Sequence, residues 1–352
     1  MVQRSIRESR QACFFAWTYS LQCTAMRLFL FGISAFSYWL TVPVAPRESD
    51  KMGMSVFAKC EPSTAAIEHL CAQFPFLPRP VHVSTNAQNR KVPSDVVAHV
   101  MSFRLRGKAF CHVGNGLYAA CPELCFAQLA QQLSFHELVR AGNVLCGRFC
   151  VRPDGAGTLA PRNSLTSKRR IGAFLKRNLG ITGAKQARQA LRWVVEGAAS
   201  PPEAFLAMVL GLPFRRGGFQ LEGAKVNQRI KPSREARAIA GRETLVPDLL
   251  FDDMRLAVEY DSTAEHAAAA QLTRDAQKRL ALEADGYKVI TVTAGQICRA
   301  GEMKHIAKQA YRRRGRRFRP QSAVFLQQQA MLFQMGWSLD RYLDLERREG
   351  NA

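Results

Sequence analysis

Residues 246–262 read VPDLLFDDMRLAVEYDS, and few folds accommodate them. Leu249–Phe251 and Leu256–Asp261 are short strand-like runs, and the four residues Asp252–Arg255 between them are suited to a turn. If Phe251 lies opposite Leu256, the pairing continues as Leu250 with Ala257, Leu249 with Val258 and Asp248 with Glu259. Opposed side chains point to one side of a sheet, about 5 Å apart. Strand alternation carries Asp261 to that same side and sends Leu256, Val258 and Tyr260 to the other. Three acids then share one patch. Two like charges ~5 Å apart repel by about 3 kcal/mol at an effective dielectric near 20, and by about 1 kcal/mol in water.

The rest of the chain makes this concentration of acid stand out. Of 352 residues, 50 are Lys or Arg and 28 are Asp or Glu, for a net charge of +22, yet residues 248–265 hold six acids and one base. A hard divalent cation, Mg²⁺ or Mn²⁺, would remove the conflict, since Mg²⁺ is commonly held by only one or two protein carboxylates. The alternative is an exposed hairpin with solvated acids. The overall charge attracts polyanions, nucleic acid before anionic membrane. An apolar fraction of 47% excludes wholesale disorder.

Residues 28–46, LFLFGISAFSYWLTVPVAP, raise the question of a membrane span or signal segment. Ser34, Ser37, Tyr38, Thr41 and two prolines dilute the run, which reads better as a buried strand over 28–31, a turn at Gly32 and a helical turn with Tyr38 and Trp39 inward. Residues 1–25 read as an extension preceding Met26. The C-x3-C pairs Cys121/Cys125 and Cys146/Cys150 sit in apolar surroundings, which favours buried free thiols over zinc ligands and a reducing, cytoplasmic setting.

The expected fold class is α/β in two parts. Residues 26–165 alternate strand-like runs (81–84, 109–119) with helical ones (63–73, 122–140) and form an N-terminal scaffold or partner-binding domain. The second helical run enters at Pro122, breaks near Ser134 and closes at Gly142. After a polar Gly/Pro-rich stretch at 152–166, residues 166–197 form a basic helical link. Its Lys168, Arg169, Arg170, Lys176, Arg177, Lys185, Arg188 and Arg192 are either a solvated face or a polyanion-facing one. A second domain spans 198–300, with a helix capped at Ser200, a strand at 225–230, the acidic hairpin, a helix at 263–285 and a strand at 287–293. Residues 301–352 are a basic helical tail whose Arg312, Arg313, Arg314, Arg316 and Arg317 are candidates for nucleic-acid phosphates.

As an ordered set, the motifs of residues 198–300 resemble the PD-(D/E)XK nuclease superfamily. More narrowly, they resemble a bacterial family whose C-terminal half carries a domain related to very-short-patch-repair (Vsr) endonucleases. The carrying residues are Ser200–Glu203, Pro247–Asp248, Val258–Asp261, His266, Arg274–Asp275 with Arg279, Gly286–Val289, and Thr291 and Thr293. The N-terminal stretches ISAFSYW, CPELCFAQLA and LVRAGNVLCGRF are similar to the region accompanying that domain in antitoxin-like proteins of abortive-infection type, a likeness that conveys no activity.

The resemblance implies a restriction-endonuclease-like mixed sheet flanked by helices and Mg²⁺- or Mn²⁺-dependent hydrolysis of DNA, with no small-molecule cofactor. It implies Asp248 and Glu259 as metal ligands. Where the superfamily usually has lysine, this chain has Asp261, either a third ligand or a sign of lost catalysis. His266, by itself a cap or surface residue, corresponds to a site histidine. Glu203 reads equally as the acid of an S-x-x-E capping box or as an additional site acid. Asp275 and Arg279, an i,i+4 salt bridge on spacing alone, brace the site or meet phosphate in the resemblance. Lys278 could replace the lost lysine, although helical phase is expected to put it off the Asp275–Arg279 face. The other function open to the sequence is a catalytically inactive DNA-binding regulator or antitoxin-like module on the same fold.

Overall fold

Complete burial on both faces explains why the first strand carries no polar residue. The computed structural model describes residues 27–59, 64–86, 93–101, 104–114, 116–152, 158–261, 269–319 and 322–337. The expected extension, residues 1–25, lies outside them, as does His266. Among the described residues the chain is a mixed α/β protein. Its first part contains β1 (Leu28–Leu30), α1 (Gly32–Thr41), β2 (Lys51–Met52), α2 (Thr64–Gln73), β3 (Val81–Thr85), β4 (Val96–Val100), β5 (Phe110–Gly114) and β6 (Leu117–Ala120). The strands form a six-stranded sheet in the order β2-β5-β6-β1-β3-β4. β1 lies inside it, parallel to β6 and antiparallel to β3, so its LFL run is buried on both faces. The stretch questioned as a membrane segment is therefore a strand and a ten-residue helix, whose Trp39 indole donates to Ala120 O at 2.7 Å. Among the described residues no helix is long and apolar enough to cross a membrane.

Next come α3 (Pro122–Leu129) and α4 (Phe135–Leu145). The break between them falls at Ser134, as expected: its hydroxyl accepts from Glu137 N, and Glu137 Oε2 accepts from Ser134 N. Gly142 does not close α4, which continues to Leu145. The glycine has a packing role instead, because a Cβ there would lie 2.4 Å from Val194 Cγ2 and 2.8 Å from Phe126 Cε2.

The Gly/Pro-rich stretch contributes β8 (Leu159–Pro161), paired with β7 (Phe149–Val151). The basic helices α5 (Lys168–Arg177) and α6 (Ala184–Leu191) bury Ile171, Phe174 and Leu175, and Ala184, Ala187 and Ala190 respectively. Cys121, Cys125, Cys146 and Cys150 are buried free thiols, and burial pushes all four upward in pKa, Cys146 to about 12.

The remaining elements are α7 (Pro201–Gly211), β9 (Lys225–Val226), α8 (Arg234–Ala240), β10 (Leu249–Phe251), β11 (Leu256–Asp261), α9 (Ala269–Ala284), β12 (Lys288–Thr293), α10 (Ala294–Ile297), α11 (Ala300–Arg313) and α12 (Ala323–Met335). They hold a mixed four-stranded sheet, order β12-β11-β10-β9, in which β11 is parallel to β12 and antiparallel to β10. A parallel pair needs a crossover, and α9 lies on the one joining β11 to β12. Strand alternation divides the sheet's apolar residues between two cores. Leu249, Phe251, Leu256, Val258 and Val292 belong to the large cluster that reaches back to Leu28, while Leu250, Ala257 and Val289 pack with Ala281 and Leu282 of α9 and Ala236 and Ala240 of α8.

Gly142→Ala tests the tight α3–α4 contact, because propensity and packing oppose each other. Alanine is favoured over glycine in a helix interior by about 1 kcal/mol, whereas overpacking costs about 1–3 kcal/mol. Urea unfolding is expected to show a net loss of up to about 2 kcal/mol; a raised midpoint would mean that the contact gives way freely.

Candidate active site

The β10/β11 register is Phe251 with Leu256, Leu250 with Ala257 and Leu249 with Val258, the pairing the pattern predicts. The reversal is a short 3-10 turn, Asp252–Met254, closed by Arg255 in the left-handed region at φ 48°. Arg313 Nε donates to Met254 O at 2.7 Å, while Arg314 Nε reaches Asp253 Oδ2 at 2.8 Å. Two of the five arginines expected on phosphate therefore pin the end of α11 to the hairpin. Arg312, Arg316 and Arg317 remain exposed.

Asp248, Glu259 and Asp261 line one cleft of about 350 Å³ below α9, joined by Asp275, Lys278, Arg279, Gln271 and Thr291. Four carboxylates and two bases thus face each other in a chain of net charge +22. Thr291 comes from β12, directly beside Glu259 in the parallel register.

Lys278 corrects the helical-phase expectation. Its Nζ is 2.6 Å from Glu259 Oε2, and both side chains are mostly buried. The reason is elementary: 275, 278 and 279 stand at i, i+3 and i+4, positions that share one face of a helix. An ammonium therefore enters the cleft from α9 rather than from the strand position occupied by Asp261. Asp275 does not take up the i,i+4 salt bridge with Arg279; its two oxygens accept from Gln271 Nε2 at 2.8 and 3.0 Å. Gln271 escaped the sequence reading, though its i,i+4 spacing to Asp275 was the available signal. Arg279 is exposed at the cleft.

The carboxylate pair is electrostatically strained. Asp248 Oδ2 accepts from Tyr260 N at 2.7 Å. Burial first, and then the neighbouring Glu259 charge, push the Asp248 carboxyl up to about 7, against the opposing pull of Lys278 and the Tyr260 N–H. Burial also raises Glu259, against the opposing pull of its ion pair with Lys278 and of the Asp248 backbone N–H. Glu259 Oε1 is buried and, among the described residues, receives no hydrogen bond. A buried carboxylate oxygen without a donor is costly.

Glu203 occupies the N-terminus of α7. Its carboxylate accepts from Ala199 N at 2.8 Å, from Ser200 Oγ at 2.9 Å and from Asn227 Nδ2 at 2.6 Å. Its charge nevertheless contributes to raising Asp248, so a helix-end role and an electrostatic one coexist in a single side chain. Asn227, at φ 49°, ends β9 and donates its backbone N–H to Asp248 O at 3.0 Å, linking the two acids.

Two acids raised in pKa and one carboxylate oxygen without a donor are chemistry that positive charge would relieve. Among the described residues no group of three or more His, Cys, Asp or Glu side chains is disposed to hold a metal ion, so the expected trio of Asp248, Glu259 and Asp261 is not assembled as one. Asp261 lines the cleft without joining such a group. Comparison of the chain with protein-family profiles, curated proteins and solved structures gave no match.

The Asp248 shift has a definite sign in metal-free buffer. Its folded pKa, about 7, exceeds the ordinary value of 3.8, so the native state binds this proton more tightly than the unfolded chain. This contribution to stability therefore falls as pH rises from about 4 to 7 and stays unfavourable above. Asp248→Asn is expected to stabilise the EDTA-treated protein at pH 8 by on the order of 2 kcal/mol, with a smaller gain at pH 5, measured by urea unfolding. An Asn variant no more stable than its parent at pH 8 would contradict the strain.

Proposed function

We propose that this chain is an endonuclease-like protein that hydrolyses phosphodiester bonds of DNA with Mg²⁺ or Mn²⁺, on a restriction-endonuclease-like version of the mixed sheet. The observation that carries the reading is the orphaned Glu259 Oε1, beside a raised Asp248 and in a carboxylate whose other oxygen, Oε2, meets the Lys278 ammonium. Asp248 and Glu259 would hold the cation, which when bound supplies Lewis-acid polarisation of a phosphate oxygen and a more acidic water. Lys278 has three donors, of which Glu259 engages one. The others, which make no hydrogen bond among the described residues, could stabilise charge on the phosphate or orient the attacking water. Arg279, exposed at the cleft, is suited to a flanking phosphate, a role that Arg312, Arg316 and Arg317 could share elsewhere on the chain. A cytoplasmic setting belongs to the same proposal and draws support from the buried free cysteines.

The presence of Asp261 where the resemblance implies lysine favours a second reading, DNA binding without hydrolysis. The two separate in one experiment. Purified protein with Mg²⁺ or Mn²⁺ is offered plasmid, mismatched and single-stranded DNA. Cleavage of at least one form is expected, abolished by Asp248→Ala and lowered about 100-fold or more by Lys278→Met, the typical loss on removing a transition-state donor. If every form stays intact, or Asp248→Ala still cuts, hydrolysis at this site is wrong.

A further inference from the structure

A second concave region lies in the N-terminal part, where α5 meets the loop around Gly107. Two hollows of about 500 and 610 Å³ share Arg177 as a common wall, and together they are lined by eight bases and two acids. The acids are already paired within the protein. Glu123 is buried and binds Lys51 at 3.3 Å and Arg170 at 3.2 Å; Glu48 binds Arg170 at 3.2 Å and Lys51 at 3.6 Å. Arg104, Arg106, Arg169, Lys176 and Arg177 are exposed, and among the described residues none of them enters an ion pair.

These charges come from two segments that are held together. Asn178, buried just after α5, accepts from Arg106 N at 2.7 Å and donates to Arg106 O at 3.2 Å. That double hydrogen bond fixes the loop carrying Arg104 and Arg106 against the end of α5. Bases at a helix C-terminus complement its dipole, but the dipole does not explain why another loop delivers two more to the same place. Within α5, Arg169 and Arg170 precede Lys176 and Arg177 by seven residues, two turns, so the pairs share a face about 10 Å apart. That separation covers roughly three phosphates of one strand at ~3.4 Å each along a duplex. Small Ala173 lies between them.

We propose that this groove binds the phosphate backbone of nucleic acid and holds DNA against the N-terminal part, apart from the carboxylate cleft. The inference rests on the nucleic-acid half of the function proposed above, not on its hydrolytic half. An anionic membrane is the weaker partner, because the apolar face of α5 that would enter a bilayer, Ile171, Phe174 and Leu175, is buried in the protein core.

The test uses the full chain carrying Asp248→Ala, so that DNA is bound without being cut. A labelled duplex and a labelled single strand are titrated by fluorescence anisotropy between about 50 and 200 mM salt. Adding Arg104→Glu, Arg169→Glu and Arg177→Glu should weaken binding tenfold or more at the lower salt. The corresponding Gln variant, with an unchanged thermal midpoint, should flatten the log-affinity against log-salt slope by about 2–3, the value for three lost phosphate contacts. Unchanged affinity and slope would overturn the groove, as would a parent that binds phosphatidylserine vesicles and ignores DNA. If the chain with Asp248 intact cuts nothing while the groove variants lose binding, the groove stands and hydrolysis alone fails.

Discussion

Antiparallel pairing of β10 with β11 forces Asp248 and Glu259 to the same side of a sheet, under the helix that crosses over to β12. Burial there turns two ordinary acids into a strained pair. Much of the surrounding structure answers that strain: Tyr260 N–H for Asp248, Lys278 for Glu259, and Asn227 holding the Asp248 backbone while binding Glu203. None of these reaches Glu259 Oε1. The pair is thus only partly satisfied by the protein, and the proposed cation would supply the remaining positive charge.

The basic residues of this chain divide into those turned inward and those left outward. Arg162 donates to the carbonyls of Trp39, Val42 and Val144, stitching α1 to α4 from within. Arg313 and Arg314 fix the hairpin turn, so the end of α11 steadies the strands that carry the acids. A net charge of +22 is therefore a poor guide to which side chains meet a ligand. The outward groups of the α5 groove and the exposed Arg312, Arg316 and Arg317 are the ones that the proposed polyanion could meet.

The acidic hairpin was legible because period-two alternation and a four-residue turn determine register almost uniquely, and every pair of β10/β11 follows from them. The strand–helix division of residues 28–41 was legible for a similar reason, since Gly32, at φ 45°, separates two apolar segments too short to cross a bilayer together. Less visible were β7 and β8, whose pairing spans a Gly/Pro-rich stretch without strand periodicity. Gly142 looked like a helix stop because the close approach of Phe126 and Val194 is tertiary and leaves no local trace. Lys278 was the consequential misreading. The i, i+3 relation to Asp275 was present in the sequence, but only the direction from which α9 crosses the sheet brings that face onto Glu259.

The central claim is that Asp248 and Glu259 form a cation site completed by the ion. Titration of the metal-free protein with Mn²⁺, followed by the electron paramagnetic resonance signal of the free ion, tests it without relying on catalysis. The account predicts one saturable site per chain, lost in Glu259→Gln and in Asp248→Asn and retained in Asp261→Asn. Absence of a saturable site in the unsubstituted protein, or a site indifferent to Glu259→Gln, would contradict it.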